Sequence, residues 1–302
     1  MNPNPDEVPV PGLDVTASSR WANLPRVASP WLHEEVARRM VERLDWFRAP
    51  PASWLHWEPV LGGMEAHGLL KARLPGARSH VEIAREASRS LLEAGAQPSS
   101  WWRLPWSRQG SRAVPSDAET RVGMLWANMQ LHHAPQPQTL LRRWHHHLDV
   151  GGFLMFSCLG PDTLTELRAV YAQQGWPVPT HSFTDMHDWG DMLVGCGFAE
   201  PVMDMERIVL TYSSAAAMLD ELRGFGRNLS DGRFPALRGR GWRQALEQAI
   251  ERHGVRADDG RLRLTFEIIY GHAFKAAPRE PRSDTQSVSV DEMRAMLRAR
   301  RT

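Results

Sequence analysis

Residues able to do chemistry gather at a few places along the chain. The stretch SWLHWEPVLGG, residues 53 to 63, reads as a strand running into a Gly-ended turn, with the helical MEAHGLLKARL behind it. A strand–turn–helix junction of this kind is where an α/β protein seats a nucleotide-like ligand. Small residues are wanted there, yet Trp54, His56, Trp57, Glu58 and Pro59 fill it. The runs LHH and HHH invite a metal reading. Consecutive histidines on one helix point in different directions, so His145, His146 and His147 cannot converge on one ion, and surface or half-buried histidines are expected. Cys158 and Cys196 have neither metal-ligand nor oxidoreductase spacing and sit in apolar runs, as buried free thiols do. A nucleophile elbow and a phosphate loop are both missing, which leaves hydrolase and kinase readings without support.

The elements that must position these residues follow from periodicity. SPWLHEEVARRMVERLDWF has Ser29 as a cap, Pro30 at the first helical position, and Leu32, Val36, Met40 and Leu44 at helical spacing. ASWLHW is a strand, with a helix after it to Leu74. ARSHVEIARE is a second strand ending near Glu82, followed by the helix ASRSLLEAG; a third strand is placed around SWWRL. RVGMLWANMQL, the helix PQTLLRRWHHHL and the strand FLMFSCLG continue the rhythm, which means βαβ units and a largely parallel sheet. After Gly160 come the helices PDTLTELRAVYAQQG and DMHDWGDMLVGCGF and the long strand PVMDMERIVLTY. The Ser-capped helix SSAAAMLDELRGFG, an Arg-rich loop, the helix GWRQALEQAIERHG and the strand RLRLTFEIIYGHAFKA follow.

The 302 residues suit one large α/β domain or two small ones, and a formal charge of +1 provides no global field towards nucleic acid. The N-terminus lacks a signal pattern, and no window approaches the roughly 18 apolar residues of a membrane span, so a soluble, cytoplasmic protein is expected. Thirteen tryptophans are read first as packing and second as a ligand wall.

From about residue 121 to 275 the chain resembles the class I S-adenosylmethionine methyltransferases. Within them it resembles the malonyl-acyl carrier protein O-methyltransferases of biotin synthesis, the BioC family. The stretches that carry the resemblance are WLHEEVARRMVERLD, LWANMQLHH, LDVGGFLMFSCLGPDTLTELR, HSFTDMHDWGDMLVGCGFAEPVMDMERIVLTY and LTFEIIYGHAFKA. The mitochondrial complex I assembly methyltransferase-like proteins share the layout but match these runs less well. The resemblance implies an α/β, Rossmann-like sheet of seven strands, the last antiparallel, with a helical lid insertion at about residues 162–183 between the fifth and sixth strands. The expected organisation is a disordered lead-in at 1–20, a methyltransferase-like domain at 21–277, and a linker with a short basic helix at 278–302.

The family's first strand ends in Asp-x-Gly-x-Gly-x-Gly, whose glycines let the backbone approach the cofactor's amino-acid end. Laid on that pattern, His56 takes the Asp position, Glu58 and Val60 take the first two Gly positions, and Gly62 survives with Gly63 beside it. Side chains there should push the loop outward, and Pro59 removes a donor. Glu82 fits the acid that holds a ribose hydroxyl pair, and Asn128 lies in the matching LWANMQLHH run.

The substrate such a family implies is a malonyl carboxylate, already ionised at neutral pH, so that alignment carries most of the rate. An arginine fork holds a carboxylate best. Arg168 in the lid helix and Arg223 and Arg227 in LRGFGRN are the clamp candidates, with Tyr212, His181 and His272 as polar neighbours. A basic strip, Arg233, Arg238, Arg240 and Arg243, set against Asp231, would suit an acidic acyl carrier protein. Two functional readings stay open at this point: a carboxyl O-methyltransferase using S-adenosylmethionine, and a non-catalytic descendant that binds a partner. An altered cofactor, with Trp54 or Trp57 in a reshaped pocket, is a third option.

Overall fold

A computed structural model describes residues 12–24, 26, 28–83 and 114–277. The sheet is built from β1 (Ser53–Trp57), β2 (Arg78–Glu82), the two-residue β3 (Val114–Pro115), β4 (Val122–Ala127), β5 (Leu148–Leu159), β6 (Ala199–Tyr212) and β7 (Leu262–Phe274). Their order across the sheet is β3-β2-β1-β4-β5-β7-β6. β1 runs parallel to β2 and β4, and β4 parallel to β5. β7 is inserted antiparallel between β5 and β6. The expected helix at ASRSLLEAG, the strand at SWWRL and the C-terminal linker and helix lie outside the described residues.

Alternation along the strands explains why both faces are covered. In β1 and β4, Trp54, Met124 and Trp126 join one apolar layer, and Leu55, Trp57, Leu125 and Ala127 join the other. A parallel strand buried on both faces needs this near-continuous apolar run. On the first face lie α2 (Trp31–Glu42) and α4 (Met64–Arg73), together with α6 (Thr165–Gln173), α8 (Ala215–Phe225) and α9 (Arg240–His253). On the second lie α5 (Pro137–His147) and α7 (Met186–Gly195). Trp54 and Trp57 are core residues, and Trp57 packs edge-on against Trp144.

Two local expectations need correction. Part of the lead-in expected to be disordered is α1 (Val15–Ala22), capped by Asp14, whose carboxylate accepts from the amides of Thr16 and Ala17. Trp21 of that helix buries itself against Leu61 and Leu229, which gives the segment an apolar reason to dock. Ser29, in turn, does not cap α2: the residue at that position is Pro30, without a side-chain hydrogen bond. The Ser29 hydroxyl instead donates to the Val60 carbonyl and accepts from the Met64 amide, tying the start of α2 to the turn after β1.

Candidate functional site

Parallel strands β1, β4 and β5 end on one side of the sheet, and the loops there form the two halves of the site. The first half is the turn after β1. Glu58 adopts φ 49° and ψ 60°, the left-handed conformation that a glycine takes without strain. Pro59 follows at the first position of a one-turn helix, α3 (Pro59–Gly62), where a missing N–H is tolerated. The chain therefore turns as a Gly loop would, but it is drawn in rather than pushed outward. Val60, Leu61 and Gly62 are buried. The Asn128 side-chain amide donates to the carbonyls of Gly62 and His33, the latter at 2.8 Å, and its own oxygen accepts from Ser157.

Beneath the turn, His56 is fully buried, with its Nδ1 3.2 Å from Nδ1 of His67 on α4. Burial holds both imidazoles in the neutral form, His67 at about 4, so one ring donates to the other. A methyl group added at Gly62 would lie 3.4 Å from His56 Nε2 and 3.2 Å from the Asn128 carbonyl, so Gly62 is the residue that fits. At the end of β2, Glu82 is engaged by Arg143 and by the Ser116 hydroxyl.

The second half is a cavity of about 240 Å³ beneath α6, walled by apolar side chains such as Leu32, Met129, Leu164, Leu167 and Phe266. Three imidazoles, His33, His133 and His181, also reach its wall, together with Arg223 and Arg227. His33 Nδ1 lies 2.8 Å from the Leu61 carbonyl, and His181 Nε2 lies 2.9 Å from that of His132, so in each ring the bonded nitrogen carries the proton. Burial depresses all three, His33 to about 4, and they are neutral at pH 7. Arg227 donates to the carbonyls of Arg223 and Gly226, and its guanidinium lies 5.6 Å from the centre of the Trp21 ring. Burial, then the charge of Arg223, lowers its pKa.

α6 is held by buried carboxylates. Glu166 accepts from the Thr265 amide and hydroxyl and pairs with Arg263; Glu267 accepts from the Asp162 amide. Burial would raise the Glu166 carboxyl, but these donors outweigh it and leave it lowered. Gly160 passes so close to Glu267 that an added methyl group would come within 2.7 Å of its carboxylate. The run GPDTLTELR thus seats α6 on β7.

Of the six clamp candidates, Arg223, Arg227 and His181 meet at the cavity. Arg168 does not line it; its guanidinium donates to the Pro161 carbonyl. Tyr212 is buried at the end of β6 without a hydrogen-bond partner for its hydroxyl, and burial raises its pKa. His272 does not line the cavity either; it pairs with Met155 in the second half of β5, and its ring stands edge-on to Phe47. Glu58, Gly62, Gly63, Glu82 and Asn128 cluster around the turn, but none of them lines the cavity.

In the basic strip, Arg233 pairs with Asp14 and Arg243 with Asp220 and Glu247; Arg238 stacks on Trp242 at 3.6 Å. The run LHH is buried more deeply than expected, with His132 4% exposed, as is His147 of HHH. Among the described residues, no group of three metal-ligating side chains could hold an ion. His33 and His133 were missed as site residues. His33 carried a signal, a polar residue beside Leu32 on the apolar face of α2.

No family model matches the chain. The malonyl-[acyl-carrier protein] O-methyltransferase of Laribacter hongkongensis is 38% identical over 265 residues, 83% of this chain and 85% of that protein. The protein of the same name from Nitrosospira multiformis is 40% identical over 264 residues, covering 82% and 84%. Gallionella capsiferriformans has another, 35% identical over 267 residues, covering 83% and 87%. Among solved structures, the YcgJ protein of Bacillus subtilis superposes with a TM-score of 0.52 at 11% identity, over 81% of this chain and 99% of that one. At that identity the likeness concerns the fold.

Proposed function

This chain belongs to the malonyl-[acyl-carrier protein] O-methyltransferase family, and from that premise we propose that its lid-covered cavity receives the carboxyl-terminated acyl group of an acyl carrier protein. The family's reaction is transfer of a methyl group from S-adenosylmethionine to that carboxylate, as biotin synthesis requires. The observation that carries the substrate assignment is a pair of arginines, Arg223 and Arg227, in the wall of a mostly apolar cavity whose other polar lining includes Thr180, Asn228 and three imidazoles. Both residues are exposed at the rim of the cavity, where a guanidinium fork can meet a carboxylate with two parallel hydrogen bonds. The neutral imidazoles of His33, His133 and His181 bring no competing charge. At about 240 Å³ the cavity suits a short acyl group and falls below the roughly 300–1,000 Å³ typical of larger ligands.

In this reading residues 162–183 are the lid of a domain spanning 21–277, and Arg238 and Arg240 are the strip residues that meet the acidic carrier. Phe234 and the wholly exposed Leu237 lie beside them, which adds an apolar contact to the charged one. Glu58, Gly62, Gly63, Glu82 and Asn128 occupy the positions where the family's methyl donor would be held. They do not fit it in this structure: the turn is tied to the chain's own side chains, and Glu82 is already paired.

The test is a titration of the protein with malonyl-loaded carrier protein and with the acetyl-loaded carrier, which lacks the carboxylate. Malonyl carrier should bind at least about ten-fold more tightly, the difference should vanish in Arg223→Gln/Arg227→Gln, and equal affinities in the native chain would refute the assignment.

A further inference from the structure

We propose that the cradle after β1 is occupied by the protein itself, so that this chain binds its acyl carrier without binding S-adenosylmethionine. The carrier half of this statement rests on the proposed function; the cradle half rests on the hydrogen bonds of residues 58–66. A cofactor seated at such a turn is held by main-chain amides, by the start of the following helix and by an acid at the end of the second strand. Here each of those groups already has an internal partner.

The start of α4 receives a carboxylate, but it belongs to Glu34 of α2. Its two oxygens accept from the amides of Glu65 and Ala66, each at 3.2 Å. The same carboxylate crowds Gly63, where an added methyl group would come within 2.8 Å of it. An anionic side chain at the first turn of a helix satisfies free N–H groups and the helix dipole together, which is what a ligand carboxylate would do there. The Met64 amide is taken by Ser29. The carbonyls of Val60, Leu61 and Gly62 accept from Ser29, His33 and Asn128 respectively.

The acid of the second strand is likewise used. Glu82 binds Arg143 and Ser116 through its side chain, and its carbonyl accepts from the Glu58 amide at 2.8 Å. Below the turn, the His56–His67 pair and Trp54 fill the space between β1 and α4. Above it, Leu61 is roofed by Trp21 of α1. A cofactor entering here would have to displace partners on α2, on α5 and just after β4 at once, and each displaced group would lose a hydrogen bond it now makes. No single substitution closes the cradle. It is the agreement of partners from separate elements that does.

The experiment uses the full chain and two ligand series in one preparation. S-adenosylmethionine and S-adenosylhomocysteine are titrated calorimetrically to about millimolar concentration, and thermal midpoints are recorded at the same concentrations. Flat isotherms and unmoved midpoints are expected. Saturable binding tighter than about millimolar, or a midpoint raised by either compound, would overturn the proposal. Malonyl carrier protein is titrated alongside. If it binds while both cofactor compounds stay silent, cradle and carrier assignments both hold. If everything stays silent on a cooperatively melting protein, the carrier assignment falls and the closed cradle stands.

Discussion

Acidification from pH 7 to pH 5 should cost this protein much of its stability, and the reason is a set of buried neutral imidazoles. An unfolded histidine takes up a proton near 6.5, whereas burial holds His33 and His67 at about 4 in the folded chain. Above 6.5 both states are neutral and pH has no leverage. Between about 6.5 and 4 the unfolded state binds protons that the folded state refuses, so stability falls as pH falls. At pH 5 each of these two groups favours unfolding by about 2 kcal/mol relative to pH 7. His56, His132, His133 and His181 are shifted in the same direction, with burial as the leading cause, and add to the loss. Two groups alone account for about 4 kcal/mol, against the roughly 5–15 kcal/mol that holds a typical protein folded. Urea unfolding followed by tryptophan fluorescence at pH 7, 6 and 5 measures this directly. A midpoint that does not move between pH 7 and pH 5 would refute the reasoning, since the burial that creates the cavity wall would then not be real.

Other perturbations separate the parts of the site. Glu166→Ala removes the acceptor that pins α6 to Thr265 and should cost about 3 kcal/mol, with hydrogen exchange rising first in residues 165–173. Because the Glu166 carboxyl is lowered in the fold, its contribution is present above the unfolded value and fades as pH drops through the folded one, a window more acidic than that of the histidines. Gly271→Ala would place a methyl group 2.3 Å from the Phe156 ring and should lower stability by about 3 kcal/mol in urea. Glu58→Gly relieves a left-handed φ at 49° and should raise stability by about 1 kcal/mol; an unchanged or lowered urea midpoint would count against strain at that residue. Leu167→Trp should fill the cavity and abolish malonyl carrier binding while the thermal midpoint stays within a few degrees, so undiminished binding would place the acyl group elsewhere.

Sequence periodicity placed most strands and helices of the described chain through their apolar stripes, but not α1 or the two-residue β3, which are too short to show a period. Turn chemistry was legible too, but its consequence was misjudged. Glu58 and Val60 in place of glycines imply an outward loop only if those side chains must point at the ligand. In the fold Glu58 adopts the glycine conformation itself and Val60 turns into the core. The partners that draw the loop inward come from Ser29, His33 and Glu34, which lie some thirty residues earlier, on and just before α2. No local pattern reports a hydrogen bond across such a separation. His272 was misplaced because spacing along one strand was not weighed: it alternates onto the same face of β7 as Phe266, which lines the cavity, but stands three alternations further along the strand.

The two halves of the site differ in what a closed arrangement would require. The cavity lies under α6, which buried carboxylates hold in place: Glu166 must keep its donors on β7, and Glu267 the Asp162 amide, or leave polar groups unpaired in the interior. These bonds fix where α6 stands over the sheet, and with it the wall that Leu164 and Leu167 give the cavity. The turn after β1 faces no such constraint. Its polar groups are main-chain amides and carbonyls, which any nearby donor or acceptor can satisfy. Glu34, Ser29, His33 and Asn128 lie within reach and do so. A cradle of main-chain groups can thus be filled one hydrogen bond at a time while the fold keeps its stability, whereas the cavity keeps its α6 wall for as long as that helix is anchored.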